Sequence, residues 1–270
     1  MKIALAQHRV EAGTVEGNVE RATAMIERAA DRGAALVALP ELFATGYFAF
    51  DAYARTAESL TGPTLTRLRE TAIDHDVALL AGSIVEDLAA SHEAGIETPA
   101  TAGYANTSVL FDSDGQRRSV YRKHHLFGYG SAEQDLLEPG ERLQTADVGG
   151  FTVGVTTCYD LRFPELYREL ADRGVTLVLV PSAWPYPRVE HWSVLPKARA
   201  VENLTYVAAV NGVGTFDDEA LLGRSTVYDP WGTPIASTGG EPALVTADLD
   251  PDRVAAVRES FPALDDRRQP

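Results

Sequence analysis

The chain repeats itself, and the repeat is the strongest constraint on its fold. Residues 28–41 (RAADRGAALVALPE) align with residues 169–182 (ELADRGVTLVLVPS), sharing Ala-Asp-Arg-Gly, a Leu-Val pair and a proline. Residues 108–115 (SVLFDSDG) align with 225–232 (STVYDPWG), sharing a serine, an aspartate and a glycine. Each copy reads as strand, helix, strand, helix, strand, hairpin. In the first copy, residues 2–7 (KIALAQ) read as a strand. Asn18 to Arg32 carries Val19, Ala22, Ile26, Ala29 and Ala30 on one helical face, and Gly33 stops it. Ala35 to Leu39 is a buried strand, Pro63 opens a second helix, and Val77 to Val85 is a strand. The hairpin is TSVLF, the turn DSDG, then SVYRK. In the second copy, Val153 and Val155 mark a strand, and Leu161, Leu166 and Leu170 fall at helical spacing before Gly174. A helix from Trp192 to Asn203 and a strand from Tyr206 to Val210 follow.

Alternating strands and helices imply α/β layers. Two related halves imply two sheets packed face to face with helices outside. Strands buried on both faces account for the continuous apolar runs ALVAL and TLVLV. The length of 270 residues fits one large domain, residues 1–270. Residues 87–103 have no period and read as an exposed loop. The tail after Phe261 (PALDDRRQP) is polar, so it either crosses the surface or meets a partner subunit.

Charge and cysteine usage narrow the function. With 39 acidic and 24 basic side chains the net charge is −15, which argues against nucleic acid as a partner. Lys2, Lys123 and Lys197 are the only lysines, and so acidic a surface predicts that added salt relieves self-repulsion. The first ten residues carry no long apolar core, and VTLVLV is too short to span a bilayer, so neither a secretory leader nor a membrane is expected. One cysteine cannot form an internal disulfide, which fits a reducing cytoplasm.

That cysteine, Cys158, stands between a strand and the start of a helix. Unpaired N–H groups at a helix start favour a thiolate, which would make it a nucleophile. A lone cysteine reads equally as a small buried hydrophobe. A nucleophile needs a base, and Glu41 follows a buried strand in the apolar setting LPELFATGY, where desolvation raises a carboxyl pKa. Lys123 ends the hairpin strand and could hold an oxyanion. Taken by spacing alone, Glu41 and Lys123 could equally be a plain ion pair at strand ends. Active sites of α/β folds collect beyond the carboxyl ends of strands, where all three residues lie. His124, His125 and His191 raise a Cys–His or metal reading. Adjacent histidines on a strand point to opposite faces, however, and no spacing matches a zinc site. No phosphate-binding glycine loop is present.

Three motifs, in order, resemble those of the nitrilase superfamily of carbon–nitrogen hydrolases: LPELFATGY, YRKHHLF and GVTTCYDLRFPE. The resemblance implies a four-layer α-β-β-α sandwich with two pseudo-symmetric halves, assembled as a homodimer or larger homo-oligomer through helix faces. It implies Glu41 as general base and acid, Lys123 as oxyanion stabiliser and Cys158 as nucleophile. The Tyr159 N–H would complete the oxyanion hole, and no metal or organic cofactor is needed. EQDLLEPG matches the segment carrying a further glutamate, Glu133, which would position substrate and Lys123; apart from the resemblance it reads as a solvated loop carboxylate. Residues 181–211 resemble the omega-amidase branch, whose substrates are monoamides of dicarboxylates such as 2-oxoglutaramate. A distal carboxylate needs a cation, for which Arg162 and Arg188 are candidates; Arg162 could instead pair with Glu165 or Asp160. Phe43, Tyr47, Tyr129 and Trp184 read as pocket-shaping residues or as ordinary core. An N-carbamoyl hydrolase, a nitrilase proper and a non-catalytic metabolite-binding scaffold are the other readings.

Overall fold

The computed structural model describes residues 1–268, so the last part of the tail, 269–270, lies outside the described residues. In chain order the first sheet is built from β1 (Lys2–Gln7), β2 (Leu36–Ala38), β3 (Ala78–Leu80), β4 (Ile84–Asp87), β5 (Tyr104–Phe111) and β6 (Arg117–Arg122). The second sheet contains β7 (Thr145–Val148), β8 (Phe151–Val155), β9 (Leu177–Ser182) and β10 (Tyr206–Asn211). A two-stranded hairpin, β11 (Val213–Phe216) and β12 (Glu219–Leu222), precedes β13 (Thr226–Tyr228) and β14 (Pro234–Ser237), which complete the second sheet. The chain then returns to the first sheet as β15 (Ala243–Asp248). The helices are α1 (Val15–Asp31), α2 (Tyr53–Thr56), α3 (Pro63–Asp74), α4 (Leu88–Glu93), α5 (Glu133–Leu136), α6 (Pro164–Asp172), α7 (Val189–Asn203) and α8 (Arg253–Ser260).

The two sheets have the same plan. From one edge, β15-β1-β2-β3-β5-β6 corresponds to β7-β8-β9-β10-β13-β14. In both, the successive pairings are antiparallel, parallel, parallel, antiparallel, antiparallel. Register confirms the repeat: Leu36 pairs with Ile3, and its counterpart Leu177 pairs with Val153. Contacts across the sheets are reciprocal as well. The Gln7 side chain accepts from the Ser225 N–H and hydroxyl, and Thr157 meets Ser108 at the equivalent place.

Strand period decides the layers. Ile3 and Leu5 of β1 face the second sheet in the large central core, and Ala4 and Ala6 face α1 and α3. In β2 and the residue after it, Leu36 and Ala38 turn inward and Val37 and Leu39 turn toward the helices. Burying about 25 cal/mol for each Å² of apolar surface on both faces is the main force holding this stack. The four-layer α-β-β-α expectation is thus met.

Three details differ from the sequence reading. The sequence reading lacks the edge strands β7 and β15, which carry no motif. The strand expected over Val77 to Val85 is two strands, β3 and β4, both lying along the same edge of β5. The break falls at Gly82, which has φ of +47°. A Cβ there would lie 2.0 Å from the Pro40 carbonyl oxygen. The segment 87–103 is no simple loop: Asp87 caps α4 by accepting from the Ala90 N–H, and Leu88 and Ser91 are buried. The tail crosses the surface up to Arg268, with Phe261 against Trp231 and Arg267 paired with Asp172. Among the described residues, no helix is long and apolar enough to cross a membrane.

Gly82→Ala should destabilise the fold by more than the roughly 1–2 kcal/mol that left-handed backbone alone costs, because the new methyl meets backbone that cannot move aside. A thermal midpoint equal to that of the parent would contradict this account of the break.

Candidate active site

Three expected site residues stand just past strand ends. Glu41 follows β2 through Leu39 and Pro40, and Leu42, at φ +44°, ties the turn by donating its N–H to Ser83 Oγ at 2.9 Å. Lys123 directly follows β6, and its main-chain N–H donates to Asn106 O. Cys158 opens a 3-10 turn, Cys158–Arg162, after β8. Glu133 arrives separately, as the first residue of α5.

The fold brings these four together in a buried cluster. Lys123 Nζ lies 2.8 Å from Glu41 Oε1, 2.8 Å from Glu133 Oε1 and 2.9 Å from Glu133 Oε2. Glu41, Lys123 and Glu133 are each 1% exposed or less. The reading of Glu133 as a solvated carboxylate is therefore excluded. Two further donors hold it: the Tyr47 hydroxyl at 3.0 Å and the Phe127 N–H at 2.7 Å, both to Oε2. Glu41 Oε2 accepts the Ala183 N–H at 2.8 Å. Asn106 Nδ2 donates to Oε1 of Glu41 at 2.9 Å and to Oε1 of Glu133 at 3.1 Å.

Burial and charge set the protonation tendencies. Burial pushes the Glu41 carboxyl above its usual range and the Glu133 charge adds to it, against the pull of Lys123. Burial opposes the charged form of Lys123, yet Glu133 and Glu41 outweigh it and hold the ammonium well above its ordinary value. Burial, then the Glu41 charge, pushes the Cys158 thiol well up, and a hydrogen bond to Glu41 favours the thiol form. This corrects the helix-start expectation. The α-helix begins only at Pro164, and Cys158 sits in desolvated surroundings beside a carboxylate. The thiol rests protonated and needs a base to react.

Cys158 is held at φ +47°, a conformation that costs a non-glycine residue stability and points to an enforced geometry. Asp160, fully buried, does the enforcing. Its Oδ2 accepts the Thr157 N–H at 2.9 Å and the Tyr121 hydroxyl at 2.6 Å. Its Oδ1 accepts the His125 N–H at 3.0 Å and lies 2.9 Å from His125 Nδ1. The cysteine turn is thereby tied to the residues flanking Lys123.

A pocket opens over Cys158, lined by Tyr47, Phe48, Lys123, Phe127, Tyr159, Arg162, Ala183, Trp184, Pro185 and Arg188. Arg162 pairs with neither Glu165 nor Asp160. Its guanidinium lies over the Tyr159 and Trp184 rings, at 5.7 and 5.2 Å, with Nη2 3.0 Å from His191 Nδ1. The Arg188 guanidinium lies over Phe127 at 5.4 Å. Two expected pocket residues are elsewhere. Phe43 is fully buried in the core beneath α1 and α3, edge-on to His8, because its turn points away from the sheet interface. Tyr129 is 77% exposed on the surface beside Phe127. Phe48, Phe127 and Asn106 escaped the sequence reading, and Asp160 entered it only as a possible partner of Arg162. The first two belong to aromatic-rich loops that carry the matched motifs, a signal that could have found them. His124 stacks on Tyr121 and His125 on Phe163, so neither forms a histidine pair facing Cys158.

Removing the cation leaves two buried carboxylates without their partner. Lys123→Met should cost roughly 3–5 kcal/mol at neutral pH, measured by denaturant unfolding. Glu41 already takes up a proton on folding between the ordinary carboxylate range and its raised value. Without Lys123 the same carboxyl is raised further, so the deficit should shrink as pH falls from that higher range toward the parent's raised value and stay level below it. A pH-independent deficit would contradict this electrostatic account.

Comparison with known proteins follows the same lines. The family model for carbon-nitrogen hydrolases matches residues 2–259. The chain is 38% identical over 238 residues to a 2-oxoglutaramate amidase of Paenarthrobacter nicotinovorans, covering 86% of this chain and 78% of that protein. It is 35% identical to omega-amidase NIT2 of Homo sapiens, covering 93% of this chain and 89% of the relative. The crystal structure of Saccharomyces cerevisiae Nit3, a member of branch 10 of the nitrilase superfamily, superposes with a TM-score of 0.87. Identity is 31%, with 100% of this chain and 97% of that one covered. The repeated sandwich, the buried cluster beside Cys158 and these likenesses together mean that the chain belongs to the carbon-nitrogen hydrolase family and has the nitrilase fold.

Proposed function

We propose that the chain is an amidase of omega-amidase type, hydrolysing the terminal amide of a small dicarboxylate monoamide and releasing ammonia. The observation that carries the reading is the buried ammonium of Lys123 between two glutamates beside Cys158. Glu41 takes the thiol proton as sulfur attacks the amide carbon. The Lys123 ammonium and the Tyr159 N–H hold the oxyanion. One forked N–H of Lys123 can serve both oxygens of Glu133, which leaves another N–H for the oxyanion. Glu41 returns its proton to the departing nitrogen, then activates the water that cleaves the thioester and frees the acid. Glu133 already accepts on both oxygens from Lys123, Asn106, Tyr47 and the Phe127 N–H. An ionised carboxylate offers about four lone-pair sites, so Glu133 has none to spare for a proton and acts as a holder of Lys123.

The substrate class rests on two cations at the pocket and on the names of the relatives, 2-oxoglutaramate amidase and omega-amidase. Arg162 and Arg188 stack on aromatic rings, which fixes their planes and leaves N–H edges for a carboxylate. Trp184 and Phe127 supply the apolar walls between that end and the thiol.

Ammonia release from 2-oxoglutaramate and succinamate is the direct test. Turnover of N-carbamoyl compounds or nitriles with none of these two amides would replace the assignment by another carbon–nitrogen hydrolase. Cys158→Ala should abolish hydrolysis and thioester trapping; retained activity would end the account. Arg162→Ala or Arg188→Ala should raise KM for succinamate by about tenfold or more, the worth of a charged hydrogen bond. The same changes should leave the neutral amide butyramide little affected, and equal losses on both substrates would remove the carboxylate role. Because the base must be ionised and its pKa is raised, kcat/KM should fall on acidification at a pH above the ordinary carboxylate range.

A further inference from the structure

We infer that Asn106 is a positioning residue that decides which oxygen of Glu41 receives the thiol proton. The inference rests on the reading of Glu41 as the base. Asn106 lies on β5, opposite Val85, and is fully buried. Its Nδ2 bridges Oε1 of Glu41 and Oε1 of Glu133, and Lys123 Nζ bridges the same two oxygens. The amide orientation follows from its partners, since the reverse would set Oδ1 against two carboxylate oxygens. Asn106 Oδ1 is itself buried with no hydrogen-bond partner among the described residues. A buried acceptor left unpaired costs stability, so this side chain does not owe its place to polar satisfaction of its own.

Lone pairs then assign the proton. Each carboxylate oxygen has two sites. On Glu41, Oε1 is filled by Lys123 and Asn106, whereas Oε2 accepts only the Ala183 N–H among its main-chain and amide donors. The open site is on Oε2. In the acylation step the S–H bond of Cys158 breaks and its proton goes to Glu41 Oε2. The sulfur pair forms the S–C bond, and the carbonyl π pair moves to the oxygen. When the C–N bond breaks, that proton leaves Oε2 for the departing nitrogen. Without the Asn106 donor, Oε1 gains an open site next to Lys123 and away from this route. Glu41 also loses a hydrogen bond that favours its charged form, which raises its pKa further.

The test is the pH dependence of succinamate hydrolysis by the full-length Asn106→Leu and Asn106→Ala variants, with Glu41→Gln in parallel. Leucine keeps the volume, and alanine answers if leucine does not fold. The expected result is a kcat reduced by about 10- to 100-fold, part of what positioned proton transfer contributes, with the acid limb of kcat/KM moved to higher pH. A packing role would not move that limb. A wild-type kcat, or a reduced kcat with an unmoved limb, in whichever variant folds overturns the inference while Glu41→Gln remains inactive. Sustained turnover by Glu41→Gln, by contrast, removes the reading of Glu41 as base.

Discussion

Everything at the site depends on one buried cation. A lone ammonium in this interior would lose its proton to avoid the cost of desolvation. Lys123 keeps its proton because Glu41 and Glu133 close around it, and each of those carboxylates is held by further donors. Two carboxylates against one ammonium leave a surplus of negative charge, held away from bulk solvent by burial. That surplus acts on the groups best able to take a proton. Burial holds Glu41 above its usual range, with the Glu133 charge adding to it, and burial and then the Glu41 charge push the Cys158 thiol well up.

The duplicated architecture explains where that cluster sits. Two equivalent sheets meet face to face, and their strand ends converge from both copies. Glu41 of the first copy accepts the N–H of Ala183, which follows the second-copy counterpart of Glu41, Ser182. The equivalent of Cys158 is His8, since Ile3 and Val153 hold matching registers against Leu36 and Leu177. His8 is buried, its pKa is lowered to about 4 by desolvation, and its ring lies against Phe43. The repeat therefore supplies two similar frames, the first carrying Glu41 and Lys123 and the second carrying Cys158.

The sequence reading reached the strands, the principal helices and the four clustered residues, because apolar period and motif order are local properties. It placed Phe43 and Tyr129 in the pocket wrongly, because an aromatic residue in a turn says nothing about the direction that turn takes. Phe43 turns into the helix-facing core and Tyr129 into solvent. Asn106 and Asp160 were not singled out for a related reason. Each is an ordinary polar residue locally, and its importance comes from partners distant in the chain. The loop reading of 87–103 failed because a helix as short as α4 rests on one cap and two buried side chains rather than on a period.

From sequence alone the chain determined its layered α/β fold, its two copies and the residue types that gather in the buried cluster. Those follow from strand and helix periodicity and from motifs confined to short segments. Tertiary structure alone decided the state of those residues. It put Glu41, Lys123 and Glu133 from separate segments within hydrogen-bond reach beside Cys158, buried them and bent Cys158 into a left-handed turn braced by Asp160. Proton affinity depends on desolvation and on charges a few ångströms away. Both are set by which strand ends meet, and that distance is not written in any one stretch of the chain.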